Sequence, residues 1–505
     1  MELCVLLREL HLLPPEKPFA SSAPPAVTTV LSQLQEKLTA ASSDTETFSL
    51  LDHTERLFLT ADPDWLFSPA PAGEEELRST HRSVVRALTD CASLPVCEDE
   101  SSSLPPAGYH GVPGRALRVC SVLQVLLETL GQSQRTDLLL TLAPSVCVFS
   151  VMHYQDQVWT TSSSRAAARR LQEALLRAGG WTDSAHLLMG DRSLAVMEEE
   201  GTKRGVLSGV LDLLQPQLTR DTWHRCEAVK LVFVWTLLQV TRPSLSPHLP
   251  RFLPPSLFLN DHFRPENCML GVRCLHHIVI NTPAAELRQF NRADVMYEAL
   301  FKHLFTTEAA VIQLVLSCLL DLMLVFEKPP SVLAPTRRRP CRHDDVLSLV
   351  LTHMEAENKV SLRRVYASAL PPYIDRMGVG VCRHLKRLER VVLGYLEIGD
   401  PPEETSRLKI LEALKTTMTV AWPRMEVRSN LLLRCLLRLL VDVSSDSCLE
   451  DASKRKLMSE TALCIKLLDR CTHGKLLPVL QQVDSSCCSP EVLSCLASIT
   501  ATTER

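Results

Sequence analysis

The stretch Val381-Cys-Arg-His-Leu-Lys-Arg-Leu-Glu-Arg-Val-Val-Leu-Gly-Tyr-Leu-Glu397 decides the fold class. Val381, Leu385, Leu388, Val392, Tyr395 and Leu396 fall on one face of an α-helix. Arg383, Lys386, Arg387 and Arg390 recur at i, i+3, i+4 and i+7, so the spacing predicts one basic stripe on the other side. Leu431–Val443 carries the same signal in a more buried form. Its polar side chains Arg434, Arg438 and Asp442 come every fourth residue on an otherwise apolar helix. Such a helix is expected to be covered by neighbours on most sides.

Working outward, the punctuation between apolar runs is helical. Thr282–Pro283, Asp400–Pro401 and Ser489–Pro490 each offer a capping side chain followed by proline at a first helical position. Gly179–Gly180 closes a helix over Arg165–Ala178. Trp422–Pro423 ends the helix that carries Leu411, Leu414 and Met418. From Cys268 to Leu496 the pattern predicts roughly ten helices joined by short turns. The expected architecture is all-α, a HEAT/armadillo-like α-solenoid of stacked antiparallel helical hairpins. No crisp repeat motif recurs.

Composition agrees. A chain of 505 residues exceeds what one ordinary core organises, whereas a solenoid extends its core in one dimension. Aromatics are only 5% and glycines only 17, too few for the turns and cross-strand pairs of a sheet protein. The expected organisation is an N-terminal helical half, residues 1–246, and a C-terminal helical half, residues 256–505. The proline-dense Arg242–Pro255 lies between them. Three stretches break the helical pattern. Pro14–Pro25 is proline-rich, Glu98–Arg115 reads as an exposed, disordered insertion, and Glu327–His343 reads as a Pro/Arg-rich loop.

Several function classes are disfavoured. A formal net charge of −4 gives no global pull toward nucleic acid, and the local basic run Thr336–Arg342 reads as a solvated loop. The start, Met1–Leu13, lacks the features of a signal peptide. Cysteines such as Cys318 and Cys435 sit inside apolar helical runs as small hydrophobes, which points to a reducing compartment. The best membrane candidate, Ala309–Phe326, contains Gln313, Ser317 and Asp321 and reads as a buried helix. There is no GxxxxGK[ST], GxGxxG, GxSxG or HExxH, and Gly378 and Gly380 read as a turn. No CxxC occurs, and Cys487–Cys488 with Cys495 lacks a second half. His276 and His277 project about 100° apart on a helix and do not suit one metal. No catalytic residue, cofactor site or metal site is therefore expected.

The stretch Arg264-Pro-Glu-Asn-Cys-Met-Leu-Gly-Val-Arg-Cys-Leu-His-His-Ile-Val-Ile-Asn281 is distinctive. It resembles the signature block of the second Tel-two-interacting protein family, the smaller Tti subunit of the Triple-T complex. Further matches occur in order: Gln289–Val295, Leu319–Leu322, Leu351–Glu355, Arg383–Arg390, Gly394–Glu397, Arg407–Leu414, Trp422–Arg424 and Leu467–Cys471. The resemblance covers about Arg264 to Cys471.

The resemblance implies a non-catalytic scaffold of a cochaperone assembly, cytoplasmic with the nucleus as a second compartment. Its implied partners are the larger Tti subunit and the Tel-two subunit, with phosphatidylinositol-3-kinase-related kinases as clients. The heat-shock chaperone and a RuvB-like ATPase adaptor are reached indirectly. No nucleic acid and no membrane is implied. Within the block, Glu266, Asn267, Cys268, Gly271, Arg273, His276, His277 and Asn281 read as fold residues. Gly271 is expected to allow close helix packing, and Arg273 to bridge to the next repeat. The partner surface is expected on the stripe Arg383, Lys386, Arg387 and Arg390, extended by Arg363 and Arg364. Other scaffold classes, transport or phosphatase adaptors, are the alternative. A nucleic-acid-binding array would need basic residues repeated along successive hairpins, and an enzyme would need a polar pocket.

Overall fold

A computed structural model describes residues 7, 25–68, 73–97, 104–191, 205–330, 340–483 and 488–500. They form helices and connecting turns. The helices are α1 (Val27–Ala40), α2 (Asp44–Thr60), α3 (Pro63–Phe67), α4 (Glu74–Asp90), α5 (Val112–Gln132), α6 (Thr136–Tyr154), α7 (Ser162–Gly179), α8 (Ser184–Met189), α9 (Leu207–Leu214), α10 (Glu227–Gln239) and α11 (Leu249–Asn260). They continue with α12 (Pro265–Asn281), α13 (Ala284–Arg288), α14 (Arg292–Phe301), α15 (Ala309–Phe326), α16 (Arg342–Ala356), α17 (Val360–Met377) and α18 (Leu385–Glu397). The last are α19 (Thr405–Val420), α20 (Ser429–Ser445), α21 (Asp451–Cys471), α22 (Leu477–Gln481) and α23 (Pro490–Thr500). The chain divides into two compact units, Met1–Pro255 and Ser256–Arg505.

Within each unit alternate helices stack into rows. In the first unit α1, α4 and α6 form one row and α2, α5 and α7 the other. In the second, α12, α15, α17, α19, α21 and α23 succeed one another while α16, α18 and α20 run alongside. Each helix thus buries one stripe against its own row and one against the other. The fold class is an all-α solenoid.

The deciding stretch behaves as its periodicity demands. Leu385, Leu388, Val392, Tyr395 and Leu396 are buried, and so is Val381. Each such side chain contributes about 1.5–3 kcal/mol by leaving water. Gly378–Arg383 is a 3-10 turn, however, and α18 starts only at Leu385. On α20 the exposed face is broader than its polar stripe, because Leu431 and Val441 are exposed beside Arg434, Arg438 and Asp442.

The caps are mixed. Gly180 adopts the left-handed conformation at φ 62 and ends α7. The Ser489 hydroxyl accepts from the Val492 amide at 3.3 Å, with Pro490 first in α23. Asp400–Pro401 does not start a helix. The chain continues to Thr405, and the Asp400 carboxylate reaches forward to accept from the Ser406 amide at 3.0 Å. At Thr282–Pro283, Pro283 occupies the cap position itself, with no side-chain capping bond.

One loop assignment needs correction. Residues 98–103 of the expected insertion lie outside the described residues, but the remainder is ordered. Tyr109 is buried 5.7 Å from the Trp159 ring, and Val112 opens α5 within the same apolar cluster. Composition suggested a loop there because glycines and prolines outnumber the two anchors that hold the segment. The proline-dense Arg242–Pro255, read as lying between the two halves, is largely helical: α11 contains Pro254 and Pro255. Phe252, fully buried 5.9 Å from the Phe233 ring, holds that helix against its neighbour. Most of Pro14–Pro25, and residues 331–339 of the Pro/Arg-rich loop, lie outside the described residues.

Thr136–Tyr154 and Ala309–Phe326 are long and apolar enough to cross a membrane, with about half of each buried among neighbouring helices. No disulfide joins cysteines among the described residues. Burial pushes the thiols of Cys120, Cys147, Cys274 and Cys464 up to about 12, and that of Cys435 up to about 11.

Candidate partner-binding surface

The basic stripe is held largely by the chain's own acids. Arg387 reaches Glu355 at the end of α16 (3.3 Å) and donates to Ser348 and Thr352. Arg390 shares Glu355 at 3.1 Å. Arg383, in the turn before α18, lies 3.6 Å from Asp344, which also accepts from His384 Nε2 at 2.9 Å. These contacts fasten α18 to α16. The partly exposed pairs with Glu355 contribute about 0–1 kcal/mol each, whereas Asp344 is buried. Lys386 is exposed, and Arg390 keeps 61% of its side-chain surface.

Arg363 and Arg364 do not lengthen the ridge. Arg363 is buried, with its guanidinium 3.8 Å from the centre of the Tyr395 ring. Arg364 bonds Asp400 through both its carboxylate (2.8 Å) and its carbonyl (2.6 Å), and pairs with Glu403 at 3.0 Å. The hydrogen bond to Asp400 raises its pKa. The two arginines thus tie α17 to α18 and to the turn beyond α18. Adjacent positions cannot reveal this, because i and i+1 point to different faces.

The signature helix α12 divides into a packed and an open face. Asn267 is buried and its amide meets His262 Nδ1 at 3.0 Å. Cys268 is buried 3.7 Å from His303 Nε2, and burial pushes its thiol up to about 11. A side chain at Gly271 would collide with the Asn260 backbone nitrogen, so α11 and α12 touch backbone to backbone there. His276 Nε2 meets Asp321 of α15 at 2.9 Å. Asn281 donates back to the His277 carbonyl at 3.1 Å. Glu266 and Arg273 are exposed. Arg273 has no ion-pair partner among the described residues, so the expected bridge to the next repeat does not form.

One surface feature escaped the sequence reading. Phe290, between α13 and α14, is 85% exposed at φ 54, and Asn291 comes next at φ 56. An aromatic residue in the left-handed region costs about 1–2 kcal/mol, a strain found at recognition sites more often than elsewhere. The Arg292 guanidinium stacks 5.2 Å over the ring. Phe263, Phe305 and Ile280 of the same unit are also more than half exposed. The only signal was an isolated Phe among polar neighbours in Gln289–Asn291.

A surface depression of about 330 Å³ is lined by Pro402, Glu403, Leu408, Glu450, Ser453 and Lys456, and the Ser453 hydroxyl in it donates to the Pro402 carbonyl at 3.2 Å. Stacked helices, cations mostly neutralised by neighbours and a strained exposed aromatic define a helical-repeat protein that offers side-chain surface. Comparison with known proteins makes this specific. The chain is 45% identical to human TELO2-interacting protein 2 over 72% of its own length and 70% of that protein's. It is 38% identical to the mouse protein of that name over 95% of its own length and 94% of the other's. The chain belongs to the TELO2-interacting protein 2 family. No family model matches it. Among solved structures, the karyopherin Kap121p bound to RanGTP is 14% identical, with a TM-score of 0.47 over 95% of this chain and 46% of that one. Kap121p bound to Nup53p gives a TM-score of 0.43 at 14% identity, covering 91% of this chain and 43% of that one. The chain thus spans less than half of those structures, and nothing about what they bind transfers to it.

Proposed function

We propose that this chain is a non-catalytic scaffold subunit of a Tel2-containing cochaperone assembly, the Triple-T complex. In this reading it supports the folding, stability and assembly of phosphatidylinositol-3-kinase-related kinases, and so DNA-damage and growth signalling and telomere maintenance. The observation that carries the reading is likeness over nearly the whole length to proteins named for interaction with TELO2. The helical stack supports it, since repeat arrays work through extended surfaces. The direct partners are then the Tel-two subunit and the larger Tti subunit. The kinases are clients, and the heat-shock chaperone and RuvB-like ATPase adaptor are reached through the complex. The compartment is the cytoplasm, with the nucleus second.

Lys386 and Arg390 are the members of the basic stripe exposed enough to meet an acidic patch on such a partner. Reversing all four stripe residues would break contacts with Asp344 and Glu355 and confuse folding with docking. The test is co-purification of the tagged full chain with mass spectrometry, plus the chain's half-life after depletion of the larger Tti subunit. Recovery of the two subunits and a shortened half-life are expected. Absence of both subunits from the eluate, with an unchanged half-life, would overturn the assignment.

A further inference from the structure

We propose that Glu327, Cys341 and His343 form a binding site for a zinc-class divalent cation at the two ends of the connection between α15 and α16. One ligand atom from each residue lies within 4.8 Å of those of the other two. His343 Nδ1 and Glu327 Oε1 are 3.3 Å apart. That is the edge of a tetrahedron built on metal bonds of about 2.0–2.1 Å. The sulfur has only to swing inward to complete the face. The donor set of one sulfur, one nitrogen and one carboxylate oxygen suits zinc. Calcium and magnesium call for oxygen throughout. The His343 side chain is fully buried, while Cys341 and Glu327 are partly exposed. The site therefore has an ordered back wall and an open mouth, where water supplies a fourth ligand.

The surroundings support such a role. Cys341 is the cap residue of α16, a position that serine, aspartate or asparagine fills better. Its sulfur accepts from the Asp344 amide in a capping box, which holds the thiol in place beside His343 and Glu327. The Asp344 carboxylate accepts from the Cys341 amide at 2.9 Å and lies 3.3 Å from its sulfur. It also accepts from His384 at 2.9 Å. On binding, a sulfur–metal bond replaces the sulfur–hydrogen bond, and the proton leaves to solvent. Asp344 gives up the thiol donor and keeps the other two. The intervening cation, Arg342, is engaged elsewhere: it pairs with Asp294 at 2.6 Å and stacks 3.6 Å over the Phe326 ring. It does not crowd the metal position.

Paired motifs of close spacing do not reveal this site. Here a Cys-x-His pair takes its third ligand from fourteen residues upstream, across a stretch without ligand spacing.

The test uses the full chain, reduced and stripped with chelator, then titrated with Zn(II) and separately with Co(II). Cys341→Ser keeps the helix cap and removes the soft ligand, while Glu327→Gln removes the carboxylate at a partly exposed position. The wild type is expected to bind one equivalent more than either variant and to show a thiolate-to-cobalt charge-transfer band that Cys341→Ser lacks. Because the chain has many other thiols, alkylation is read peptide by peptide. Zn(II) should slow labelling of Cys341 at least tenfold, and Mg(II) should not. Circular dichroism confirms that the variants are folded. Equal stoichiometry in wild type and Cys341→Ser, or Cys341 labelling that Zn(II) leaves unchanged, would overturn the proposal.

Discussion

Histidines of the two units show two kinds of environment, although neither kind is confined to one unit: His186 of the first pairs with Asp191, and His353 of the second stacks on Tyr366. In the first, His81 and His153 are almost wholly enclosed, with no carboxylate contact among the described residues. His81 Nδ1 meets the Leu77 carbonyl at 2.9 Å, and His153 lies 4.7 Å from the Phe149 ring. Burial pulls both down to about 4, so each ring is a neutral, half-polar filler. In the second, the equally buried His343 meets Glu327, His384 meets Asp344, and His276 meets Asp321. There the ring joins one helix to an acid from another turn or helix. The same residue type thus serves as packing at His81 and His153 and as a connector, or a ligand, at His276, His343 and His384.

The strongest way to sharpen this contrast is backbone contact. Gly271→Ala drives a methyl into the Asn260 backbone and should destabilise the second unit by about 3 kcal/mol. Gly209→Ala in the first unit meets only the ring of Pro144, 2.6 Å away, and should cost about 1 kcal/mol. Chemical denaturation of both variants checks the order. The reverse order would mean that the helices of the second unit can slide apart.

Acid should separate the units next. A buried histidine pulled from 6.5 to about 4 is neutral when folded, and below pH 6.5 the unfolded chain takes up protons first. The stability is fully present above pH 6.5 and is lost as pH falls toward 4. At pH 5 the loss is about 2 kcal/mol for each of His81 and His153. Replacing both with Phe should flatten the decline in the first unit's stability between pH 7 and pH 5, as tracked by hydrogen exchange. An unchanged decline would show that other groups govern it.

Asp321→Asn removes the charge partner of His276. With both side chains partly exposed, the expected loss is under about 1 kcal/mol. A loss of several kcal/mol in denaturant would make the connector far stronger than its exposure allows. The smallest effect belongs to Lys386→Glu with Arg390→Gln, which removes both cations without setting a second carboxylate beside Glu355. Stability should stay within about 0.5 kcal/mol, while recovery of partner subunits at moderate salt should fall. Full recovery would leave those cations as a solvated face.

Legibility tracked the range of the interaction. The apolar stripe of α18, the glycine stop after α7 and the proline start of α23 depend on neighbours within a few residues. Phe290 was missed because left-handed strain and exposure leave almost no compositional trace. Residues 104–115 looked loop-like because Tyr109 finds its partner, Trp159, only in three dimensions.

By itself, then, the sequence determined that the chain is helical, where most long helices lie, and, through the block Arg264–Asn281, which family it resembles. Helical periodicity and family signatures are written in the order of residues. Only the tertiary structure decided that Arg363 stacks on Tyr395 while Lys386 faces solvent, that His153 is filler while His276 is a connector, and that Glu327 stands beside Cys341 and His343. Those outcomes depend on which helix a side chain meets in the next layer, and local spacing carries no record of that meeting.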